Sequence, residues 1–172
     1  GVPVAYTPYL SHADPTVDRR EGFLPPTYGS SSDLGMIISV PYYVDFSPTM
    51  DATFTPIITT DKGIVGAAEL RQRLSQTDYT VDSSVTYAQA DSDNDKDVRG
   101  HVRGELRHEF DDTWRTGGNL YLSSDDTYLR RYRFGSETTL ENRLFIEGFR
   151  GRNYATGQAY YFQGLRNADA QG

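Results

Sequence analysis

The sequence predicts an all-β fold: an antiparallel meander of about eight long strands. Apolar and polar residues alternate with a period of two over long stretches, which is typical of strands and not of helices. Short breakers rich in Asp, Ser, Gly and Pro separate these stretches. Thirteen Tyr and eight Phe against two Met also favour strands.

The first 30 residues are rich in proline, and they differ in this from the rest of the chain. The run from Val2 to Leu10 is compatible with one strand interrupted by Pro8, and the residues after it are expected to form an ordered connector. Residues 31–172 carry the alternating segments.

Eight strands are predicted in the remainder of the chain. The alternation is clearest from Tyr79 to Ala88 and from Val98 to Phe110. The same pattern places the strands near 34–44, 51–60, 64–73, 79–89, 98–110, 113–123, 137–149 and 153–166. Most connectors have the length of hairpin turns, so successive strands are expected to pair antiparallel.

Several of these strands reach 10–13 residues. Ordinary globular strands average about 5–6 residues, whereas a tilted membrane strand needs about 9–11. Aromatic residues also lie near strand ends, as in the girdles of outer-membrane barrels. A soluble sandwich can show the same alternation, so both readings stay open, with the membrane barrel favoured.

One side of the predicted sheet is strongly charged. It carries Arg99, Arg103, Glu105, Arg107 and Glu109, with Glu69 and Arg71 as expected neighbours on adjacent strands. In a barrel these side chains would line a polar lumen and pair across strands. In a soluble sandwich they would be solvated.

The sequence contains little that points to catalysis or cofactors. The formal net charge of −7 argues against nucleic-acid binding, and the chain has no Cys. The acidic run 91–97 resembles a calcium loop, but Lys96 and Val102 stand where Gly and Glu are needed. His101 and His108 are seven positions apart and are expected on opposite faces of a strand. We therefore expect no enzyme, metal site or cofactor.

Residues 2–60 carry a family resemblance. The ordered motifs are Val2-Pro3-Val4-Ala5-Tyr6-Thr7-Pro8-Tyr9-Leu10, Asp18-Arg19-Arg20-Glu21-Gly22-Phe23-Leu24-Pro25-Pro26, Val40-Pro41-Tyr42-Tyr43 and Ser47-Pro48-Thr49-Met50-Asp51-Ala52-Thr53-Phe54-Thr55-Pro56. Together they resemble the LptD family, also called organic-solvent-tolerance proteins, at the junction between periplasmic domain and barrel. Glu69-Leu70-Arg71 and the run 124–129 are similar to the family more weakly.

The resemblance implies a domain division, a function and partners. Residues 1–30 would end a periplasmic β-jellyroll, and 31–172 would form the first strands of a large transmembrane barrel in the outer membrane of a Gram-negative bacterium. The whole protein would insert lipopolysaccharide into the outer leaflet. Its partners would be lipopolysaccharide, outer-membrane lipid, an LptE-like plug lipoprotein and, through the missing domain, an LptA-like bridge protein.

The resemblance also gives a role to two prolines in the first two predicted strands. Proline cannot donate a ladder hydrogen bond, so Pro41 and Pro56 would weaken a lateral seam through which lipid passes, with Tyr42 and Tyr43 beside it. Without the resemblance, the two prolines would be read as protection of an edge strand against aggregation.

Two alternatives remain, a self-contained eight-stranded outer-membrane barrel and a soluble antiparallel binding module. One conflict also remains in the strand orientation. The shortest connectors follow the first, third, fifth and seventh strands, and short turns usually face the periplasm. A chain entering from a periplasmic domain would place those turns outside, unless the strand count is wrong by one.

Overall fold

A computed structural model describes residues 20–89 and 96–166 of the chain. They form one antiparallel sheet of eleven strands and one short helix. The strand expected between Val2 and Leu10 lies outside the described residues.

The elements follow one another in a meander. The strands are β1 (Gly22–Phe23), β2 (Thr27–Ser31), β3 (Gly35–Ser39), β4 (Tyr42–Ser47), β5 (Met50–Thr59), β6 (Gly63–Arg73), β7 (Thr77–Gln89), β8 (Lys96–Glu109), β9 (Trp114–Ser123), β10 (Thr139–Arg150) and β11 (Asn153–Gly164), with helix α1 (Tyr128–Arg131) between β9 and β10. All eight predicted strands are confirmed, the first of them as β3 and β4 together.

Strands β3 and β4 are two halves of one strand that is interrupted at Pro41. From Ile37 to Asp45 both pair with β5 in a single register, in which Ile37 lies opposite Thr59 and Tyr42 lies opposite Phe54. The register shifts between Asp45 and Ser47. From β5 to β11 each strand pairs with the next, and the sheet stays open at both ends.

Strands β1 and β2 correct the expectation of a connector before the first strand. β1 pairs with β4, and β2 pairs with β3, so this part of the chain forms one more strand across the sheet edge. The register shifts by one position between the two halves, where Pro25 and Pro26 interrupt the strand. The predicted strand count was therefore too low by one.

The connectors differ in length between the two ends of the sheet. At one end, the short-turn end, they have two to four residues, at 48–49, 74–76, 110–113 and 151–152. At the other, the long-connector end, they have three to fifteen residues, at 32–34, 60–62, 90–95 and 124–138. Gly63 and Gly151 adopt positive φ angles of 81° and 60° in hairpin turns, where a side chain would be strained.

The two faces of the sheet have opposite chemistry. On the polar face, one row across five strands reads Thr53, Glu69, Asp82, Arg103 and Tyr121. On the apolar face, the neighbouring row reads Ala52, Leu70, Val81, Gly104 and Leu120. Because the side-chain period of a strand is two, the alternation found in the sequence becomes this division.

The apolar face is exposed. Val98 is 70 % exposed, Tyr87 and Leu144 are both 66 % exposed, and Ile64 and Tyr161 are both 62 % exposed. Apolar patches of such extent on a sheet face mark contact with a protein, a ligand or a membrane. In the described part of the chain, no helix is both long and apolar enough to cross a membrane.

Side-chain amides replace the backbone ladder where β9 and β10 separate near the long-connector end. The backbone N–H of Tyr121 donates to Asn142 Oδ1 at 2.6 Å. The side chain of Gln163 accepts from the Ser123 N–H at 3.1 Å and donates to the Ser123 carbonyl at 2.8 Å. These bonds keep the sheet together beside the connector that carries α1.

Candidate functional site

The first three strands across the sheet edge share a line of weakened pairing. Leu24 N–H donates to the Pro41 carbonyl at 2.9 Å, and Val40 N–H donates to the Pro56 carbonyl at 3.3 Å. In an antiparallel sheet, the two residues of a hydrogen-bonded pair each donate their backbone N–H to the carbonyl of the other, so such a pair normally has two bonds. Proline has no backbone N–H, so each of these two pairs keeps one bond of two. We call this line of pairs the proline seam.

The prolines weaken two successive ladders at the same level of the sheet. The missing donor of Pro41 faces the strand containing Leu24, and that of Pro56 faces the strand containing Val40. A backbone hydrogen bond contributes about 0.5–1.5 kcal/mol in water, and an unpaired group costs several kcal/mol in lipid. On the far side of Pro56 lies Gly66 of β6, which adds no side chain to the row.

The two tyrosines next to the seam lie on opposite faces. Tyr42 is on the apolar face, where its ring packs edge-to-face on Phe23 with 4.9 Å between ring centroids. Tyr43 is on the polar face and lines a cavity shared with Asp51 and Arg71. One tyrosine therefore contacts the edge strand and the other contacts the charged face.

The seven predicted charged residues share the polar face, although not one environment. Arg71 bonds Asp51 at 2.7 Å and Glu69 at 3.2 Å. Arg103 reaches Glu105 at 3.5 Å. Arg107 and Glu109 are exposed at the end of β8, and Arg115 lies opposite Glu109. Cross-strand pairing thus neutralises part of this face.

Arg99 is the exception, because it is only 2 % exposed. Its Nε and Nη2 donate to Asp125 at 2.8 and 2.6 Å, and Nη2 also donates to Thr127 at 2.8 Å. Asp125 in turn accepts backbone N–H bonds from Thr127 and Tyr128 at the start of α1. A buried cation on β8 therefore holds the connector 124–138, which we call the covering segment.

The covering segment folds over the polar face near the long-connector end. Its Tyr128 and Leu129 are buried in the hydrophobic core of the described residues. The buried members of this core are Leu34, Val65, Tyr121, Tyr128, Leu129, Tyr132, Leu140 and Leu165. Arg133 Nη2 also donates to the Ser30 carbonyl at 3.0 Å. The segment thereby links the middle of the sheet to the hairpin of β2 and β3.

Two titratable groups of the covering segment are strongly perturbed. Burial alone would raise the pKa of Asp125, but hydrogen bonds from Arg99, Ser124 and Thr127 outweigh it and hold that pKa well below its ordinary value. Burial raises the pKa of the Tyr128 phenol to about 12, against the opposing hydrogen bond with Ser84. Asp125 is therefore charged and Tyr128 neutral at ordinary pH.

Sequence reasoning did not identify two charged residues of this face, Asp125 and Arg143. Asp125 lies 26 positions from Arg99, so only the fold brings the pair together. The run Asp125-Asp126-Thr127 before Tyr128 is a helix-start signal that was available in the sequence. Arg143 was also missed, because the alternation of β10 mixes apolar and charged residues on one face.

His101 and His108 lie on opposite faces of β8, as expected. His101 Nδ1 is 2.6 Å from Ser84 Oγ, and His108 Nδ1 is 2.8 Å from Thr77 Oγ1. Within the described residues, no group of three or more His, Cys, Asp or Glu side chains is arranged to hold a metal ion.

Comparison with known proteins gives consistent matches. A family model described as LPS transport system D matches residues 97–172. A protein of Neisseria meningitidis serogroup B is 34 % identical over 153 residues, which is 86 % of this chain and 18 % of that protein. One of Nitrosococcus oceani is 35 % identical over 172 residues, 96 % of this chain and 22 % of that protein. One of Bordetella pertussis is 32 % identical over 179 residues, which is 98 % of this chain and 22 % of that protein.

All three relatives are named LPS-assembly protein LptD. The chain spans about one fifth of the length of these curated relatives. The alignments with the Nitrosococcus and Bordetella relatives cover nearly the whole chain, whereas the family model covers the part that follows the proline seam. The chain belongs to the LptD family.

Proposed function

We propose that this chain forms the gate-side wall of an outer-membrane β-barrel that inserts lipopolysaccharide into the outer leaflet. The observation that carries the proposal is the exposed apolar face opposite a charged face. A soluble sheet buries its apolar face, whereas a barrel wall turns that face to lipid and its polar face to the lumen. The relatives' name supports lipopolysaccharide as the cargo.

In this proposal the proline seam is the lateral gate. Pro41 and Pro56 remove one hydrogen bond from each of two ladders, so the strands there separate at lower cost than elsewhere. Tyr42 lies on the lipid side of the seam and Tyr43 on the lumen side. The barrel wall begins at β1, before residue 31, because β1 and β2 pair with β4 and β3, and the residues before Gly22 lead into it from a periplasmic jellyroll.

The extra strand formed by β1 and β2 supports this orientation. It runs toward the long-connector end, so a chain that enters from the periplasm has its short turns on the periplasmic side. That is the usual arrangement in outer-membrane barrels. The lumen would be lined by Glu69, Arg71, Arg103, Glu105, Arg107 and Glu109, with Arg99 beneath the covering segment.

The partners follow from the same proposal. A plug lipoprotein of the LptE type would contact the lumen face, and a bridge protein of the LptA type would deliver lipopolysaccharide to the periplasmic domain. The relatives are named for assembly rather than catalysis, and we propose no enzymatic step.

The gate is tested by restoring the missing donors. We expect Pro41→Ala with Pro56→Ala, in the full-length protein as the only copy in the cell, to tighten the seam and reduce surface lipopolysaccharide. Pro48→Ala is the matched control, because Pro48 lies in a turn and not in a ladder. Surface lipopolysaccharide is measured by labelling of intact cells. Equal labelling in both variants would rule out the gate.

A further inference from the structure

A second concave site lies on the polar face, away from the proline seam. It has a volume of about 340 Å³ and lies over β8, β9 and β10. Three of its side chains are guanidinium groups, those of Arg103, Arg107 and Arg143. We call these three residues and their surroundings the arginine site.

The arginines of this site differ from three other arginines on the same face. Arg71, Arg99 and Arg115 each have a carboxylate oxygen at 2.6–2.7 Å. The shortest carboxylate distance in the arginine site is 3.5 Å, from Arg103 to Glu105. Asp82 lies opposite Arg103 on β7, but no ion pair joins the two among the described residues.

Neither of the other two guanidinium groups has a carboxylate oxygen within 4.0 Å in the described part of the chain, and the electrostatic partner of Arg143, Glu147, is already paired with Arg115. Arg107 is exposed. Arg143 lies over the rings of Phe145 and Tyr160, at 5.1 and 5.9 Å, and its Nε is buried without a hydrogen-bond partner. A ring face attracts a cation without neutralising it, so positive charge remains in the site.

The register arranges the three cations around one point. Glu105, Asn119 and Arg143 form a row across β8, β9 and β10, and Arg103 and Arg107 lie two positions to either side of Glu105. The backbones of Arg103 and Arg107 are therefore about 7–10 Å from that of Asn119, and Arg143 lies directly opposite Asn119. An arginine side chain is long enough to span these distances. Among the residues that line the site, three are arginines and two are carboxylates, Glu105 and Glu137, while Asp78 lies opposite Arg107 on β7.

The walls of the site are aromatic as well as cationic. Tyr121 and Phe145 line it, and Tyr160 lies next to Arg143. Guanidinium groups match the geometry of phosphate oxygens, and flat rings pack against apolar faces of a ligand. We propose that the arginine site binds a phosphate group carried on a saccharide, as in the phosphorylated headgroup of a glycolipid.

This inference rests on the proposed function, because it assigns a binding site for the transported lipid in the lumen. It is tested with the full-length protein purified in detergent and three probes: lipopolysaccharide, the same lipopolysaccharide after enzymatic removal of its phosphomonoesters, and inorganic phosphate. We expect the phosphorylated form to bind about tenfold more tightly than the dephosphorylated form, the effect of about one charge-assisted hydrogen bond. The triple variant Arg103→Gln, Arg107→Gln and Arg143→Gln should lose this difference.

The control variant removes three charges outside the site, through Arg73→Gln, Arg130→Gln and Arg152→Gln. Arg73 is a close match for Arg103, since its ion pair with Asp78 is also 3.5 Å long. The control should keep the tenfold preference. If Arg143→Gln disturbs folding, the double variant of Arg103 and Arg107, both exposed, tests the same loss of preference.

Three outcomes would overturn the arginine site. One is an unchanged phosphate preference in the triple variant. Another is tight binding of inorganic phosphate that does not displace lipopolysaccharide. The ligand of the site would then be free phosphate and not the phosphorylated headgroup. The third is loss of a co-purified plug protein with unchanged lipid preference, which would make the site a protein interface. Because binding is measured without transport, a protein that delivers no lipopolysaccharide would refute only the proposed function.

Discussion

Replacing Asp125 by Asn should release the covering segment from the polar face. The carboxylate of Asp125 receives two hydrogen bonds from Arg99 and also the backbone N–H groups of Thr127 and Tyr128. An amide keeps the shape of the side chain but loses the negative charge and one acceptor oxygen. The substitution therefore removes the Asp125 carboxylate from the buried guanidinium of Arg99.

The expected size of the effect follows from the burial of the two partners. Removing one member of a buried ion pair costs about 3–5 kcal/mol. The Arg99 side chain is 2 % exposed and that of Asp125 is 26 % exposed, so water relieves part of the loss. We expect the low end, about 3 kcal/mol, which is about a hundredfold in the equilibrium for local opening.

Hydrogen exchange measures this opening directly. The N–H groups of Arg131 and Tyr132 donate to Thr127 and Tyr128 at 2.9 and 3.0 Å only while α1 is formed. Their exchange should accelerate about a hundredfold in the Asp125→Asn variant. Asp126→Asn is the matched control, one position along the same segment. Equal acceleration in both variants, or none in either, would show that the ion pair does not hold the segment.

Two further predictions concern the apolar face and the covering segment. Leu144→Arg, on the apolar face, should cost about 2–4 kcal/mol of folding in lipid, whereas Thr156→Arg on the polar face should cost far less. The folded fraction in vesicles is measured by heat-modifiable gel mobility, and equal losses would contradict a lipid-facing surface. Because the pKa of Tyr128 is raised to about 12, the folded state favours the neutral phenol, and this contribution to stability is lost as pH rises from about 10 through 12. The phenolate absorbance of Tyr128, taken as the difference between wild type and Tyr128→Phe, should therefore rise only as the pH approaches about 12. Titration of this tyrosine near its ordinary value would contradict the burial argument.

The long strands could be predicted from the sequence because their pattern is local. In β8, every second residue from Arg99 to Glu109 faces the same way, and one face of the sheet follows directly from that count. The register between strands follows from short turns, such as the one before Gly63. These features depend on neighbours in sequence, which is why the eight strands are confirmed.

The missed elements depend on contacts between distant residues. β2 (Thr27–Ser31) has no apolar alternation, and it becomes a strand because β3 offers it a backbone ladder. Helix α1 has four residues, too few for a helical period, and its packing comes from distant core residues such as Val65. The one-sided charge of the arginine site also needed the structure, since sequence cannot tell a paired arginine from an unpaired one.

The hairpin at the sheet edge is held differently on the two sides of the proline seam. Toward the long-connector end, Leu34 is buried in the core with Leu129, and Arg133 bonds Ser30. Toward the short-turn end, β1 contributes only two paired positions, so backbone bonds carry most of the attachment. We infer that separation along the seam begins at the short-turn end, which the proposed orientation places nearest the periplasm. Faster hydrogen exchange at Leu24 than at Thr60, whose N–H donates to Met36, is the expected sign, and the reverse order would exclude this direction of opening.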